Sequence, residues 1–307
     1  MLTEPAPPHP APPPTDPSAG HPLRGVVLLL SALFLFACMD TSIKVLTADH
    51  SVPMVVAIRY IVHCLLMVVL FAPSQGRKLV QTQRTGLVLV RAASLTAASL
   101  FVGLALQRMP VAEMTAITFL APMLVVLLAG PLLRERIGPV GWTAAVAGFA
   151  GVLLVVRPGG AVDPAGLAFM AVAVAANTTY QLLTRILADT DRAVAMLFYT
   201  ALVGSICFGA LLPWFWDLGD ESLTTVLLFL STGVTAGLGH YLFTLAYRDA
   251  PASMLAPMNY LQLLWAGLLG WMVFGHIPDA LSAAGMVVIA ASGALIALKS
   301  RRPARRA

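Results

Sequence analysis

Asp40 and Lys44 stand four residues apart in an apolar stretch, a spacing that puts an acid and a base on one face of a helix. Such a pair either neutralises itself within the helix or meets a charged solute, and both readings stand. Asn177, Gln181 and Arg185 repeat the four-residue step elsewhere, and Arg59 and His63 form a third pair. A stripe of amides on an apolar helix must face protein or water, because lipid satisfies no hydrogen bond. Arg59 is of the type that grips a carboxylate through two N–H groups. Arg91, about one turn into its helix, reads as a headgroup anchor, and Arg185 near a helix end as one that snorkels. Thr115, Thr118 and Pro122 share a face, as do Pro257, Asn259, Tyr260 and Gln262, with Trp265 one turn further. In both places a proline, which removes a backbone hydrogen bond, lies beside hydroxyl or amide groups and permits a hinge. His240 sits by Gly237 and Gly239, which allow close helix approach. The candidate binding set is therefore Asp40, Lys44, Arg59, Thr115, Thr118, Asn177, Gln181, His240, Asn259, Tyr260, Gln262 and Trp265.

Other chemistries are not supported. The chain has no Walker-type glycine loop, no His-Glu-x-x-His, no Gly-x-Ser-x-Gly and no paired aspartates in adjacent apolar segments. Cys38, Cys64 and Cys207 lie far apart in apolar stretches and suggest neither a disulfide framework nor a metal site. No catalytic residue, cofactor or metal is expected. Asp40, His63, Glu113 and His240 are titratable and leave protons open as a coupling ion.

The elements that carry these residues follow from composition. Hydrophobic residues make up 59% of 307 positions, charged residues 11%, and the mean hydropathy is +0.85. A soluble domain is about a quarter charged, and each membrane-spanning helix needs roughly 20 apolar residues. Ten spans are expected near 25–46, 53–72, 87–107, 111–132, 139–156, 165–187, 194–216, 223–246, 251–274 and 280–298. The connections are too short to hold a soluble catalytic module. Nine of the 22 prolines fall in the first 22 residues, so residues 1–23 are expected to form a disordered tail. It lacks the basic start and cleavage pattern of a signal peptide.

Lys and Arg placement gives an expected orientation. Thirteen of the 19 basic residues fall on the side of both termini, from Arg24 through Arg134 and Arg192 to the tail 299–307. Arg108 and Arg157 fall opposite, beside an acidic connection with Asp217, Asp220 and Glu221. Both termini are thereby expected in the cytoplasm, and the basic C-terminal tail at anionic lipid rather than nucleic acid. Trp142, Trp214 and Trp216 fall at span ends, as an interfacial belt requires.

A shift of 141 residues superposes two halves. It carries Leu104-Ala105-Leu106 and Pro110 onto Leu245-Ala246-Tyr247 and Pro251, Lys44 onto Arg185, Asp40 onto Gln181 and Thr118 onto Asn259. Gly148 to Gly151 meets Ile289 to Gly293 within one residue. Five spans per half is an odd number, so the second half enters the membrane inverted. The expected fold is an all-α membrane protein of ten transmembrane helices built as two inverted five-helix repeats, 24–157 and 164–298. Many secondary transporters place a site between such repeats and expose it to each side in turn.

Phe36 to Asp40 with Lys44, Ile58-Arg59-Tyr60, Ala116 to Pro122, Glu135-Arg136-Ile137-Gly138, Gly148 to Val152, Ala246-Tyr247-Arg248 and Pro257 to Tyr260 together resemble the EamA-type, ten-span members of the drug/metabolite transporter superfamily. The resemblance covers about 25–298. It departs where an acid common after span nine in such proteins is His276 here. It implies a multi-pass cell (inner) membrane protein, monomeric or homodimeric, that moves a small-molecule metabolite without ATP. Export of amino acids or related metabolites is the first expectation. Uptake or exchange of a cofactor- or nucleoside-like metabolite, such as S-adenosylmethionine or riboflavin, is the second. A membrane-embedded enzyme or a scaffold is the reading from another class.

Overall fold

The computed structural model describes residues 22–106, 108, 114, 117–135, 137–157, 163–217, 219, 221–275 and 279–300. Thr115, Glu113 and His276, both terminal tails, and most of the region before Thr118 lie outside the described residues. Within them the chain forms ten helical elements. They are α1 (Pro22–Leu46), α2 (Val52–Gln75, continued by a 3-10 turn Gly76–Leu79), α3 (Thr85–Leu106), α4 (Leu120–Leu133) and α5 (Pro139–Val156). The second half holds α6 (Pro164–Leu187), α7 (Ala193–Phe215), α8 (Leu223–Asp249), a three-piece α9 and α10 (Ala280–Ser300).

Local chemistry sets the ends. Asp163 accepts a hydrogen bond from the Gly166 amide at 3.0 Å and Pro164 opens α6, an N-cap followed by proline where its missing N–H costs nothing. Ser222 caps α8 through the Thr225 amide at 3.1 Å. Gly275 ends α9 at φ 66°, a left-handed conformation that glycine adopts without strain.

Among the described residues, seven helices are long and apolar enough to cross a membrane, and α4 and α10 add shorter apolar helices. The ninth span is not the continuous helix expected. It consists of an α-turn Ala252–Leu255, a 3-10 turn Ala256–Leu261 and an α-segment Gln262–Phe274. Pro257 lies in the 3-10 turn, where its ring and missing N–H oppose an unbroken α-helix. Upstream of α4, Phe119 is likewise a turn between helical Thr118 and Leu120. The 141-residue shift carries Phe119 onto Tyr260, so the two halves break the same helix at the same place. Broken backbone at membrane depth is tolerated where protein or a cavity surrounds it.

The most extensive packing joins the halves: α1 on α8, α3 on α6, α2 on α7 and α5 on α10. Then come α2 on α8 with α3 on α7, and α1 on α9 with α4 on α6. Adding five to each helix number exchanges these pairings among themselves, as an approximate twofold axis requires. A Cβ built on Gly148 would meet Ser292, and one on Gly151 would meet Ile289. These two contacts are each other's mates under the 141-residue shift, and they show that α5 and α10 run antiparallel. Equivalent α2 and α7 do likewise: Ser51 bonds the Phe215 carbonyl at 3.0 Å, Tyr60 stacks on Phe208, and Met67 clusters with Leu197. Equivalent helices that oppose one another mean inverted halves. Lipid provides no hydrophobic drive between helices, so close approach through small residues does this work. Large apolar side chains such as Ile206, Val69 and Val287 cover the outside.

Candidate functional site

Where the halves meet, α1, α2, α3, α4, α6, α8 and α9 enclose a cavity of about 410 Å³. Its walls are aromatic and aliphatic: Phe36 of α1, Leu95 and Val102 of α3, Phe119 and Pro122 at α4, Tyr180 of α6 and Phe243 of α8. Its polar groups are Asp40, Arg59, Thr118, Asn177, Gln181, His240, Asn259 and Gln262. All eight belong to the set read from the sequence. A side lobe of about 190 Å³ continues between α3 and α6 past Ser99 and Ala173.

The amides are organised before any solute arrives. Gln181 Oε1 accepts from Tyr247 Oη and from Asn259 Nδ2, both at 3.0 Å. Its Nε2 donates to Asn177 Oδ1 at 3.4 Å. Asn259 Oδ1 is buried with no partner, a free acceptor at the wall. Beyond this floor, Glu135 accepts from the amides of Ala252 and Ser253 at 3.1 and 2.8 Å and from Arg185 Nε at 3.4 Å. Arg185 Nη1 also donates to the Tyr247 carbonyl at 3.2 Å. The cavity is thus tied shut at the Glu135 end, while Asp40 at the other end is exposed.

Asp40 and Lys44 are not partners. Asp40 Oδ2 accepts from Gln262 Nε2 at 2.8 Å, and Lys44 Nζ lies 4.4 Å from the Phe274 ring centroid. The face-sharing read from the spacing is met by neighbours on α9 instead. Arg185 is no free snorkelling residue, since it holds Glu135. Tyr260 is fully buried against Gly148 and Phe119. Trp265 borders a separate apolar pocket of about 280 Å³ with Leu30, Leu264 and Leu268, and packs edge-on against Phe34.

Arg91 overturns the headgroup-anchor expectation. Its side chain is fully buried, with Nε donating to Thr184 at 2.8 Å and Nη1 to Thr200 at 2.9 Å and the Met196 carbonyl at 3.2 Å. Its Nη2 donates to Tyr180 at 3.2 Å and Thr244 at 3.1 Å. The partners come from α6, α7 and α8, so no pattern within α3 announces them. Tyr180, Phe36 and Phe243 were also missed as lining residues. A signal existed for these three: each lies three or four residues from a polar lining residue, on the same helical face.

This arrangement can hold a small organic molecule between two inverted halves and can release it by parting one end. Residues 23–157 and 164–298 each match the EamA-like transporter family model. The chain belongs to the EamA-like transporter family. EamA-like proteins are transporters and not enzymes, and this one is a multi-pass membrane transporter of small metabolites. It is 26% identical over 296 residues to a riboflavin transporter of Vibrio cholerae serotype O1, covering 93% of this chain and 97% of that one. It is 25% identical over 180 residues to an S-adenosylmethionine uptake transporter of Rickettsia conorii, covering 59% of this chain and 60% of the other. Over 270 residues it is 25% identical to the pseudopaline exporter CntI of Pseudomonas aeruginosa, covering 86% of this chain and 93% of that one. A crystal structure with 18% sequence identity superposes with a TM-score of 0.76, over 91% of this chain and 98% of the other, and shows the same fold.

Proposed function

We propose that this EamA-like transporter carries a planar, hydrogen-bonding heteroaromatic metabolite of the cofactor or nucleoside kind across the cytoplasmic membrane, with both termini in the cytoplasm. The observation that carries this reading is the cavity itself. Phe36, Phe119, Tyr180 and Phe243 offer ring faces and edges around pre-set amides within about 410 Å³, a combination suited to an aromatic ring with polar edges. Relatives that carry riboflavin and S-adenosylmethionine support it. Export of amino acids in general has no such support.

Transport follows from the inverted halves. The Glu135–Arg185 tie closes one end of the cavity here, and Lys44, the counterpart of Arg185 in the other half, lies over the Phe274 ring at the open end. Exchanging which end is tied alternates exposure of one site. One chain encloses the whole cavity, so a monomer suffices. Asp40 is the carboxylate among the lining residues, and a proton gradient would act through it.

The test is flux of labelled riboflavin and labelled S-adenosylmethionine into proteoliposomes without ATP, with and without an imposed pH gradient. Saturable flux of either supports the reading. Its absence for both, with flux of a zwitterionic amino-acid derivative instead, would replace it with the second reading. That alternative draws on Arg59 and Asp40, opposite charges lining one cavity.

A further inference from the structure

The donors and charges of the cavity are unbalanced. Arg59 lines it, yet its guanidinium donates only two long side-chain hydrogen bonds among the described residues, 3.4 Å to Met39 Sδ and 3.5 Å to Ser99 Oγ. It also lies over the Tyr60 ring at 4.6 Å, and its Nε has no partner. A guanidinium has five N–H groups, and a buried one normally fills them.

Arg91 adds a second positive charge behind the wall. Its hydrogen-bond partners are four hydroxyls and one carbonyl, all neutral. They satisfy its donors without cancelling its charge. The connection to the cavity is direct. Arginine cannot accept a hydrogen bond, so Tyr180 Oη must accept from Arg91 Nη2. Tyr180 Oη also lies 2.9 Å from Nδ1 of His240, a lining residue, so one hydrogen-bonded chain runs from Arg91 through Tyr180 to the cavity wall. Asp40, the carboxylate of the cavity, offsets one of the two positive charges while accepting from Gln262, which leaves the other unbalanced. The α2–α8 side of the site is thus rich in donors and positive, while Asn259 Oδ1 across it is an acceptor with no donor.

We infer that the transported molecule carries an oxyanion, a carboxylate or a phosphate, which binds against Arg59 with its charge balancing the surplus positive charge, while a donor edge meets Asn259. This rests on the transporter reading and adds a specificity element to it. Arg59 is the specificity-determining residue, and Arg91 acts through its charge behind the Tyr180 wall.

The inference is tested by binding to the detergent-purified full chain, followed by intrinsic tryptophan fluorescence. The probes are the matched pairs riboflavin and riboflavin 5′-phosphate, and nicotinamide and nicotinate, with glutamate and citrate as aliphatic anions. The anionic member of a pair should bind at least about tenfold more tightly, a difference of roughly 1.4 kcal/mol. The phosphate pair and the carboxylate pair tell the two sources apart. Arg59→Gln should abolish the ratio while leaving binding of the neutral member in place, which also shows that the variant folds; Arg59→Lys should keep part of it. Equal binding within both pairs, or a ratio unchanged in Arg59→Gln, overturns the inference. Arg59-dependent binding of the aliphatic anions alone would keep the oxyanion site and overturn the heteroaromatic reading. No binding by any probe counts against both.

Discussion

Glu135 Oε2 accepts the Ser253 amide at 2.8 Å across a sequence separation of 118 residues. One carboxylate from the end of α4 thereby caps the start of α9 and holds Arg185 of α6. Three helices from both halves are fastened at one point beside the cavity floor. Charge-assisted hydrogen bonds to backbone amides are stronger than neutral ones. Glu135→Ala is therefore expected to cut flux at least about tenfold while binding affinity in detergent changes little, because Glu135 does not line the cavity. Glu135→Gln, which keeps one acceptor, should fall between. Equal flux in wild type and Glu135→Ala would show that this tie is not a gate.

Gln181 is expected to act in binding. Removing it frees Tyr247 Oη and Asn259 Nδ2 from the acceptor that orients them at the wall, and a hydrogen bond lost to a bound solute costs about 1 kcal/mol or more. Gln181→Ala should raise the half-saturation concentration by about tenfold or more at similar protein yield. Thr179→Ala, two residues away on the exposed face, is the control and should change neither. Flux kinetics in proteoliposomes decide it.

Arg91 is expected to matter for stability as well as for the field in the cavity. Arg91→Ala leaves four hydroxyls without their donor and opens a void at a fully buried position. A loss of about 2 kcal/mol or more is expected from the void and the lost hydrogen bonds, seen as a lower melting temperature by fluorescence-detected size exclusion. Thr200→Val, which removes one partner, should cost about 1 kcal/mol. A melting curve for Arg91→Ala that overlays wild type would contradict the buried geometry.

Asp279 gives a pH signature outside the membrane. The Ser282 amide, and then the Arg157 guanidinium and the Ser282 hydroxyl, hold its carboxyl down to about 2 from an ordinary 3.8. A carboxyl with a depressed native value stabilises the fold above its unfolded value and loses that as pH falls through the native one. The melting-temperature difference between wild type and Asp279→Asn should thus be constant from pH 5 to 8 and close between about 4 and 2. A difference that instead varies between pH 6 and 8 would contradict this assignment.

Much of the site was legible because the membrane makes polar residues conspicuous. A polar side chain inside an apolar span must face protein or a cavity, which is why Asn177, Gln181, Asn259 and Gln262 stand out and converge on one volume. Aromatic residues carry no such mark, since Phe36 and Phe243 are equally at home against lipid. Arg91 misled for a related reason. Position along a helix tells its depth but not which neighbours surround it, and three other helices supply its partners.

Two facts were decided by the amino-acid sequence alone: a hydrocarbon-embedded helical fold, and its construction from two halves of odd helix number. The first follows from the cost of charge in lipid, the second from one register shared by separated places along the chain. Tertiary structure decided the pairings. It turned Asp40 toward Gln262 rather than Lys44, set Glu135 on the start of α9, and buried Arg91 among hydroxyls. Spacing along one helix fixes which side chains share a face. Only the packing of helices distant in sequence determines what that face meets.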